Sequence, residues 1–298
     1  MLYKIKRFFK HCLYPFQFLG VALMYILFKS FPFEATSAFG GWLGRTVGPL
    51  LKQSRIARKN LQQAFPGMSE EQQTKVIGDM WENLGRTVGE YPVLTSRKLY
   101  GPKSPLEIVN PEIIDHLRED NKPAILFLGH IGNWEYATLP ALHKGLAITQ
   151  LYRTLNNPYV AWIASRIHTG IAEDLVTKGP EGAKKMLKIL KQGGHLSMLV
   201  DQKLREGIPV PFFGHEAMTP QAPAKLALKF KCPLVPVRVE RLKGVKCRVT
   251  YYPPLELPEE GTLSERVYAL TLKINQTLEG WIREHPAQWI WMHNRWPK

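Results

Sequence analysis

One short apolar run constrains the fold of this chain more than any other feature. The five residues from Ala124 to Leu128 are all apolar and lie between Pro123 and Gly129. A short run without alternation, bounded in this way, is typical of a strand that is buried on both faces. Such strands need helices on both sides of their sheet, because parallel neighbours are joined by helical crossovers. The run therefore predicts an α/β fold.

Helical and strand-like segments alternate along the rest of the chain. Residues 69–92 begin with the N-cap Ser69 and place apolar residues at helical spacing. The further predicted segments are a short helix over 111–119, a helix over 180–192, a strand over 196–200, a helix from 219 to 231, a strand over 234–239, a strand over 245–252 near an edge, and a closing helix over 264–284. This order predicts a single, mostly parallel sheet flanked by helices.

The N-terminal part is the most apolar stretch of the chain. No Asp, Glu, Lys or Arg occurs from His11 to Phe28. A helix of that length reaches ~27 Å, just under the ~30 Å of a bilayer's hydrocarbon core, so we expect it either to span a membrane or to lie at its surface. A buried helix of a soluble fold is the alternative. We therefore expect residues 1–30 to form a membrane-associated anchor helix and residues 31–298 to form one catalytic-size domain.

The charge of the chain indicates an anionic partner. Lys and Arg number 40 against 25 Asp and Glu, and the net charge is +15. Basic residues flank the apolar stretch on both sides, which favours an anionic membrane surface but gives no orientation. Nucleic acid is not the expected partner, because no zinc finger or RNP-like aromatic motif accompanies the charge. The three cysteines include no CxxC pair, so neither a disulfide framework nor a cysteine zinc site is predicted.

A Gly-rich segment, GHIGNWE over 129–135, follows the predicted strand directly. Ligands of open α/β sheets bind beyond the carboxyl ends of the strands. We expect His130 just before a helix and Glu135 in its first turn. There the carboxylate would hold one ring nitrogen of His130 and leave the other free as a general base. No GxSxG nucleophile elbow occurs, so the attacking group is expected to come from the substrate.

The GHIGNWE segment resembles the Hxxxx(D/E) block of the glycerolipid-type acyltransferases, and specifically that of the bacterial lipid A biosynthesis acyltransferases. Further segments resemble other blocks of that family in the expected order: Arg55 to Leu61 with Ala64-Phe65-Pro66, Tyr152-Arg153 with Asn156-Asn157-Pro158, Val200-Asp201-Gln202 with Val210 to Gly214, and Pro233 to Val237. The resemblance covers most of residues 40–298.

This resemblance implies transfer of a fatty acyl group from acyl carrier protein to a hydroxyl of a lipid A precursor, at the cytoplasmic face of the bacterial inner membrane. His130 and Glu135 are the implied catalytic residues. The residues expected to contact substrate are Asn133 as an oxyanion donor, Arg153 on a phosphate, Arg166, and Asp201, which would steady Arg153 or another donor. No metal and no cofactor are expected.

Other interpretations stay open at this point. The C-terminal cluster of Trp289, Trp291, His293, Arg295 and Trp296 resembles the aromatic-basic tail of the family, but packing in the core explains its tryptophans more simply. The acceptor is equally compatible with another glycolipid or a lysophospholipid. From other classes, the alternatives are a metal-dependent hydrolase with His130, Glu135 and Asp201 as ligands, and a non-enzymatic basic protein that binds membranes or nucleic acid.

Overall fold

The computed structural model describes residues 13–94, 99, 101, 103–152, 157–168, 170–177 and 179–296. The helices are α1 (Tyr14–Ser30), α2 (Phe33–Val47), α3 (Gln53–Ala64), α4 (Glu70–Glu90), α5 (Glu112–Glu119), α6 (Leu139–His143), α7 (Pro158–His168), α8 (Pro180–Lys191), α9 (Ala222–Phe230) and α10 (Leu263–Glu284). The strands are β1 (Leu106–Val109), β2 (Ala124–Leu128), β3 (Ile148–Tyr152), β4 (Asp174–Thr177), β5 (His195–Leu199), β6 (Ile208–Phe212), β7 (His215–Thr219), β8 (Leu234–Lys243) and β9 (Lys246–Tyr251).

Among the described residues, seven strands form one sheet in the order β1-β9-β8-β2-β5-β3-β4. The strands from β8 to β4 are parallel to one another, whereas β9 runs antiparallel to β8 and parallel to β1. Strands β6 and β7 form a separate antiparallel hairpin. The predicted mostly parallel sheet with flanking helices is therefore confirmed, and β9 lies one strand from the edge.

The centre of the sheet is buried on both faces, as its sequence predicts. Every residue of β2 is buried, and β2 hydrogen-bonds to β5 on one side and β8 on the other. One core cluster lies on each face of the sheet, and the C-terminal helix α10 packs into one of them. The site at the end of β2 therefore stands on the buried centre of the sheet.

The helix predicted over 69–92 is α4, which spans Glu70–Glu90. Its capping box joins Ser69 and Gln72: the hydroxyl accepts from the Gln72 N–H, and the Gln72 side chain accepts from the Ser69 N–H. Helix α2 crosses α4 at very short range. A Cβ atom on Gly40 would lie 2.3 Å from the carbonyl oxygen of Gly85, so only glycine permits this approach.

The N-terminal apolar stretch forms helix α1, and residues 1–12 of the expected anchor lie outside the described residues. Its outer face exposes large apolar side chains, including Phe16 at 73%, Leu19 at 66% and Leu23 at 66%. None of the helices in the described part of the chain has the length and apolarity needed to span a bilayer. The inner face of α1 packs on α7, and the side chain of Asn157, the residue before α7, donates to the Tyr14 carbonyl at 3.0 Å.

Candidate active site

Strand register brings two of the predicted site residues together. Leu128 at the end of β2 is paired with Leu199 at the end of β5. His130 and Asp201 each lie two residues beyond this pair, so they meet at the same edge of the sheet. Positive φ at Gly132 (60°) then turns the chain, and its missing Cβ leaves room for the carbonyl of Val239.

The carboxylate on His130 is that of Asp201. Oδ1 of Asp201 lies 2.7 Å from Nδ1 of His130, and Oδ2 accepts the His130 backbone N–H at 2.9 Å. Oδ2 also accepts the indole N–H of Trp289 at 2.7 Å. Burial opposes ionisation of Asp201, but the charge and hydrogen bonds of His130, together with the Trp289 donor, hold the pKa of this carboxyl well below its usual range.

This arrangement corrects the expected pairing of His130 with Glu135. Glu135 does lie in the first turn of the predicted helix, a 3-10 helix over Trp134–Thr138. Its carboxylate, however, accepts from the Tyr91 hydroxyl at 2.7 Å and from the Trp134 indole N–H at 3.0 Å. A five-residue spacing across a turn sends the two side chains in different directions, so the ring nitrogen of His130 meets the neighbouring strand instead.

Glu135 reaches His130 through an intermediate side chain. The rings of Trp134 and His130 meet edge to face, with their centroids 5.0 Å apart. The hydrogen bond that the Trp134 indole donates to Glu135 holds the indole in place, and the indole in turn packs against the His130 ring. Burial and the Glu135 carboxylate raise the pKa of the Tyr91 hydroxyl well above its usual range, so this hydroxyl stays a donor.

The second ring nitrogen of His130 faces a glutamine and a second histidine. Nε2 of His130 lies 3.3 Å from Nε2 of Gln202, and the same amide nitrogen lies 3.1 Å from Nε2 of His293. No role was predicted for Gln202 from the sequence, and His293 was predicted only as part of the aromatic-basic tail. Both residues line the cavity described below.

Asn133 is not exposed at the site, although it was expected to contact substrate. It is 0% exposed, its amide N–H donates to Glu90 at 2.7 Å, and its Oδ1 accepts the Glu135 backbone N–H. Glu90 is also fully buried and forms an ion pair with Arg241 at 2.6 Å. Asn133 therefore holds the loop in place. This corrects the expectation that its side chain donates to an oxyanion.

A large apolar cavity of about 1170 Å³ opens beside His130. Its apolar wall comes from three parts of the fold: Val21, Met24, Tyr25 and Phe28 on α1, Val160, Ile163, Ala164 and Ile167 on α7, and Leu128, Met198 and Val200 at the end of the sheet. Three of its polar lining residues, His130, Gln202 and His293, are linked by contacts through the Gln202 amide, and they form what we call its polar end. A volume of this size and lining suits a ligand with a long hydrocarbon part.

Of the two predicted arginines, Arg166 belongs to the described residues and Arg153 lies outside them. Arg166 is on the exposed side of α7, with its guanidinium 4.8 Å from the centre of the Trp162 ring, whereas other residues of the same helix line the cavity. In the described part of the chain, no group of three or more His, Cys, Asp or Glu side chains is placed to hold a metal ion.

The fold and the site define a class of protein: an α/β enzyme with a histidine–carboxylate pair at the polar end of an apolar cavity. The family model described as bacterial lipid A biosynthesis acyltransferase matches residues 3–298. The chain belongs to this family and is an acyltransferase of lipid A biosynthesis.

Individual relatives of the chain are also acyltransferases. A lipid A biosynthesis acyltransferase of Haemophilus influenzae is 25% identical, with 93% of this chain and 87% of the relative covered. The lipid A biosynthesis lauroyltransferase of Escherichia coli is 23% identical over 96% of this chain and 92% of its own length. A phosphatidylinositol mannoside acyltransferase of Mycolicibacterium smegmatis is 27% identical over 61% of this chain and 60% of its own length.

Proposed function

We propose that this acyltransferase moves a fatty acyl chain from the thioester of an acyl carrier protein to a hydroxyl of a lipid A precursor, with His130 as general base. One observation carries the proposal: His130 is held by Asp201 on one nitrogen and turns the other toward the polar end of an apolar cavity. The cavity suits the acyl chain, and its polar end suits the thioester and the hydroxyl.

The proposed reaction needs only one residue that exchanges a proton. Asp201 keeps the proton of neutral His130 on Nδ1, so the Nε2 lone pair accepts the proton of the acceptor hydroxyl. The hydroxyl oxygen bonds to the thioester carbon and the carbonyl oxygen becomes an oxyanion. When the oxyanion collapses, the C–S bond breaks and the imidazolium returns its proton to the leaving thiolate. His130 ends neutral and no acyl-enzyme forms.

Glu135 takes a positioning role in this proposal. It holds the Trp134 indole against the His130 ring, and it orients the Tyr91 hydroxyl at the cavity wall. A charge-assisted hydrogen bond of this kind is stronger than a neutral one, so it restricts the indole effectively. In this proposal the two side chains act together without a direct contact.

An anionic membrane surface is the proposed setting, with the catalytic domain on the cytoplasmic face of the inner membrane. Exposed apolar side chains continue from α1 onto α2 and beyond, with Phe39 and Trp42 on α2 and Leu50 and Leu51 after it. The exposed Lys29 and Lys52 adjoin these apolar segments in the chain, and a basic side chain contributes about 1 kcal/mol near anionic lipid. Contiguous apolar surface of this kind marks an interaction site.

The test is an acyl-transfer assay with purified protein, acyl carrier protein thioesters of several chain lengths, and a lipid A precursor, read by mass spectrometry of the glycolipid. We expect one acyl increment on the glycolipid. His130→Ala should lose the increment while still unfolding in a single cooperative transition. Transfer to glycerol lipids alone would reassign the acceptor, and transfer by His130→Ala at the wild-type rate would refute the base.

A further inference from the structure

The side chain of Gln202 occupies a position that the proposed reaction must use. Its amide nitrogen lies between the two imidazoles, 3.3 Å from His130 Nε2 and 3.1 Å from His293 Nε2. These contacts put the amide where the acceptor hydroxyl and the thioester carbonyl have to meet.

The orientation of this amide follows from Asp201. An ionised carboxylate only accepts hydrogen bonds, so its contact with Nδ1 places the proton of His130 on that nitrogen. Nε2 of neutral His130 is then a bare acceptor, and Gln202 must present its N–H group rather than its carbonyl oxygen. The other hydrogen of the same amide points to Nε2 of His293, which accepts it.

Binding of an acceptor hydroxyl changes this arrangement at one point. The hydroxyl must donate to Nε2 of His130, so it displaces the amide hydrogen of Gln202 from that lone pair. The reacting carbonyl lies within bonding reach of the hydroxyl oxygen, and the displaced N–H is left beside it. A donor 3.3 Å from the base is thus within reach of the carbonyl oxygen that becomes the oxyanion, where such a donor is required.

The side chain first expected in this role is not available. Asn133 is fully buried and its amide is bonded to Glu90 and to the loop backbone. Gln202, by contrast, lines the cavity at the same end as His130.

We propose that the side-chain amide of Gln202 donates a hydrogen bond to the oxyanion of the tetrahedral intermediate, and that His293 is a positioning residue that keeps this amide in its donor orientation. The inference rests on the proposed acyl transfer. Gln202 forms and breaks no covalent bond: it exchanges a hydrogen bond to His130 for one to the oxyanion, while its second hydrogen stays with His293.

Steady-state kinetics of Gln202→Ala and of the isosteric Gln202→Glu test the donor. We expect kcat to fall by about 10²–10³-fold, the effect of losing one oxyanion donor, with little change in the KM of either substrate. Matched controls are Gln62→Ala on α3 and His215→Ala in the β6–β7 hairpin, both exposed and outside the cavity lining, which should keep the wild-type kcat.

A double-mutant cycle tests the role of His293. His293→Ala should lower kcat less than Gln202→Ala does, and it should have no further effect in the Gln202→Ala background, because it acts through that amide. A full additional loss in the double variant would assign His293 a separate role and overturn its positioning function.

The outcomes separate this inference from the proposed function. If the wild-type protein transfers no acyl group to the glycolipid, the proposed function fails. If the wild type is active and Gln202→Ala matches or exceeds its kcat, the amide only blocks the base, and the inference fails while the base mechanism stands. If Gln202→Glu loses kcat and its melting temperature falls as well, Gln202 is a structural residue, and that result would also overturn the inference.

Discussion

At the scale of single residues, Asp201 is the best-satisfied group of the site. It is 2% exposed, and its two oxygens accept three hydrogen bonds, two from His130 and one from the Trp289 indole. A buried carboxylate is costly unless it is paired in this way. Removal of the Trp289 donor would therefore disturb His130, although the indole is not in contact with its ring nitrogen.

The lowered pKa of Asp201 predicts a specific pH dependence of stability. The folded protein binds this proton less readily than the unfolded chain, so the contribution is present above the ordinary carboxyl pKa of about 4 and is lost as the pH falls. We expect the free energy of unfolding to drop more steeply below about pH 5 in the wild type than in Asp201→Asn. Urea unfolding at several pH values measures both slopes, and parallel slopes would contradict the assignment.

The sequence indicated His130 as a base but not its partner. The position of His130 after a buried strand was visible in the chain, and so was Asp201 after another strand. The register of β2 against β5, which brings them together, depends on contacts between residues 71 positions apart. Gln202 carried a weak signal only, since it follows Asp201 in the same block.

At the scale of elements, the crossing of α2 and α4 depends on glycine. A Cβ atom on Gly85 would lie 2.1 Å from the carbonyl oxygen of Gly40, while one on Gly78 of the same helix would meet nothing within 4 Å. We therefore expect Gly85→Ala to lower the free energy of unfolding by ~1–3 kcal/mol through overpacking. Gly78→Ala is the matched control, and it should raise stability by ~0.5–1 kcal/mol through helix propensity.

Denaturant unfolding of the two alanine variants gives the comparison directly. A Gly85→Ala protein as stable as the wild type would show that α2 is free to move away from α4. Because α4 carries Glu90 to the loop of the site, we also expect Gly85→Ala to lower kcat.

A second feature at the scale of elements is the buried carboxylate of Glu90, which holds the loop of the site. The carboxylate of Glu90 joins four parts of the fold: Ser37 of α2, Arg241 of β8, and Asn133 and Tyr136 of the loop and the turn after it. Burial opposes the charge of Arg241, but Glu90 raises the pKa of this guanidinium above its usual value. The guanidinium of Arg241 therefore stays charged at every working pH.

Breaking this pair from one side should be costly. Glu90→Gln leaves the Arg241 charge buried without a carboxylate, and we expect a loss of ~3–5 kcal/mol in the free energy of unfolding. The double variant Glu90→Gln, Arg241→Met removes both charges and should recover part of this loss. Urea unfolding of the single and double variants checks it; a double variant less stable than either single one would contradict the account.

The elements that the sequence predicted are those with a strong period or a clear boundary. Helices α4, α8 and α10, and strands β2 and β5, were predicted within a few residues. Strand β3 reads Ile-Thr-Gln-Leu-Tyr, which lacks both a continuous apolar run and a boundary residue, and it was not predicted. The β6–β7 hairpin was also not predicted, because proline is unfavourable within a strand and β6 contains Pro209 and Pro211.

At the scale of the whole molecule, α1 contributes side chains both to the outer surface and to the cavity. Its outer face is exposed and apolar, while Met24, Tyr25 and Phe28 on its inner face line the cavity. Residues 1–30 were expected to be an anchor beside a separate domain, but hydropathy alone does not reveal which surface the inner face of a helix contacts. The cavity is built from both predicted parts.

The outer face of α1 gives a prediction for membrane binding. Phe16→Ser, Leu19→Ser and Leu23→Ser together remove exposed apolar area without touching the cavity lining, so sedimentation with phosphatidylglycerol vesicles should fall sharply. Turnover of detergent-dispersed substrate should stay near that of the wild type. Ile108→Ser with Leu242→Ser, also exposed but far along the sheet, is the control; equal loss in both sets would contradict a specific surface.

The kcat of Asp201→Asn, measured against the wild type in the acyl-carrier and glycolipid assay, tests the central claim most directly. The change keeps the shape of the side chain but removes the charge that sets the tautomer of His130, so we predict a loss of at least ~10²-fold with little change in KM. A wild-type kcat in Asp201→Asn would contradict the mechanism.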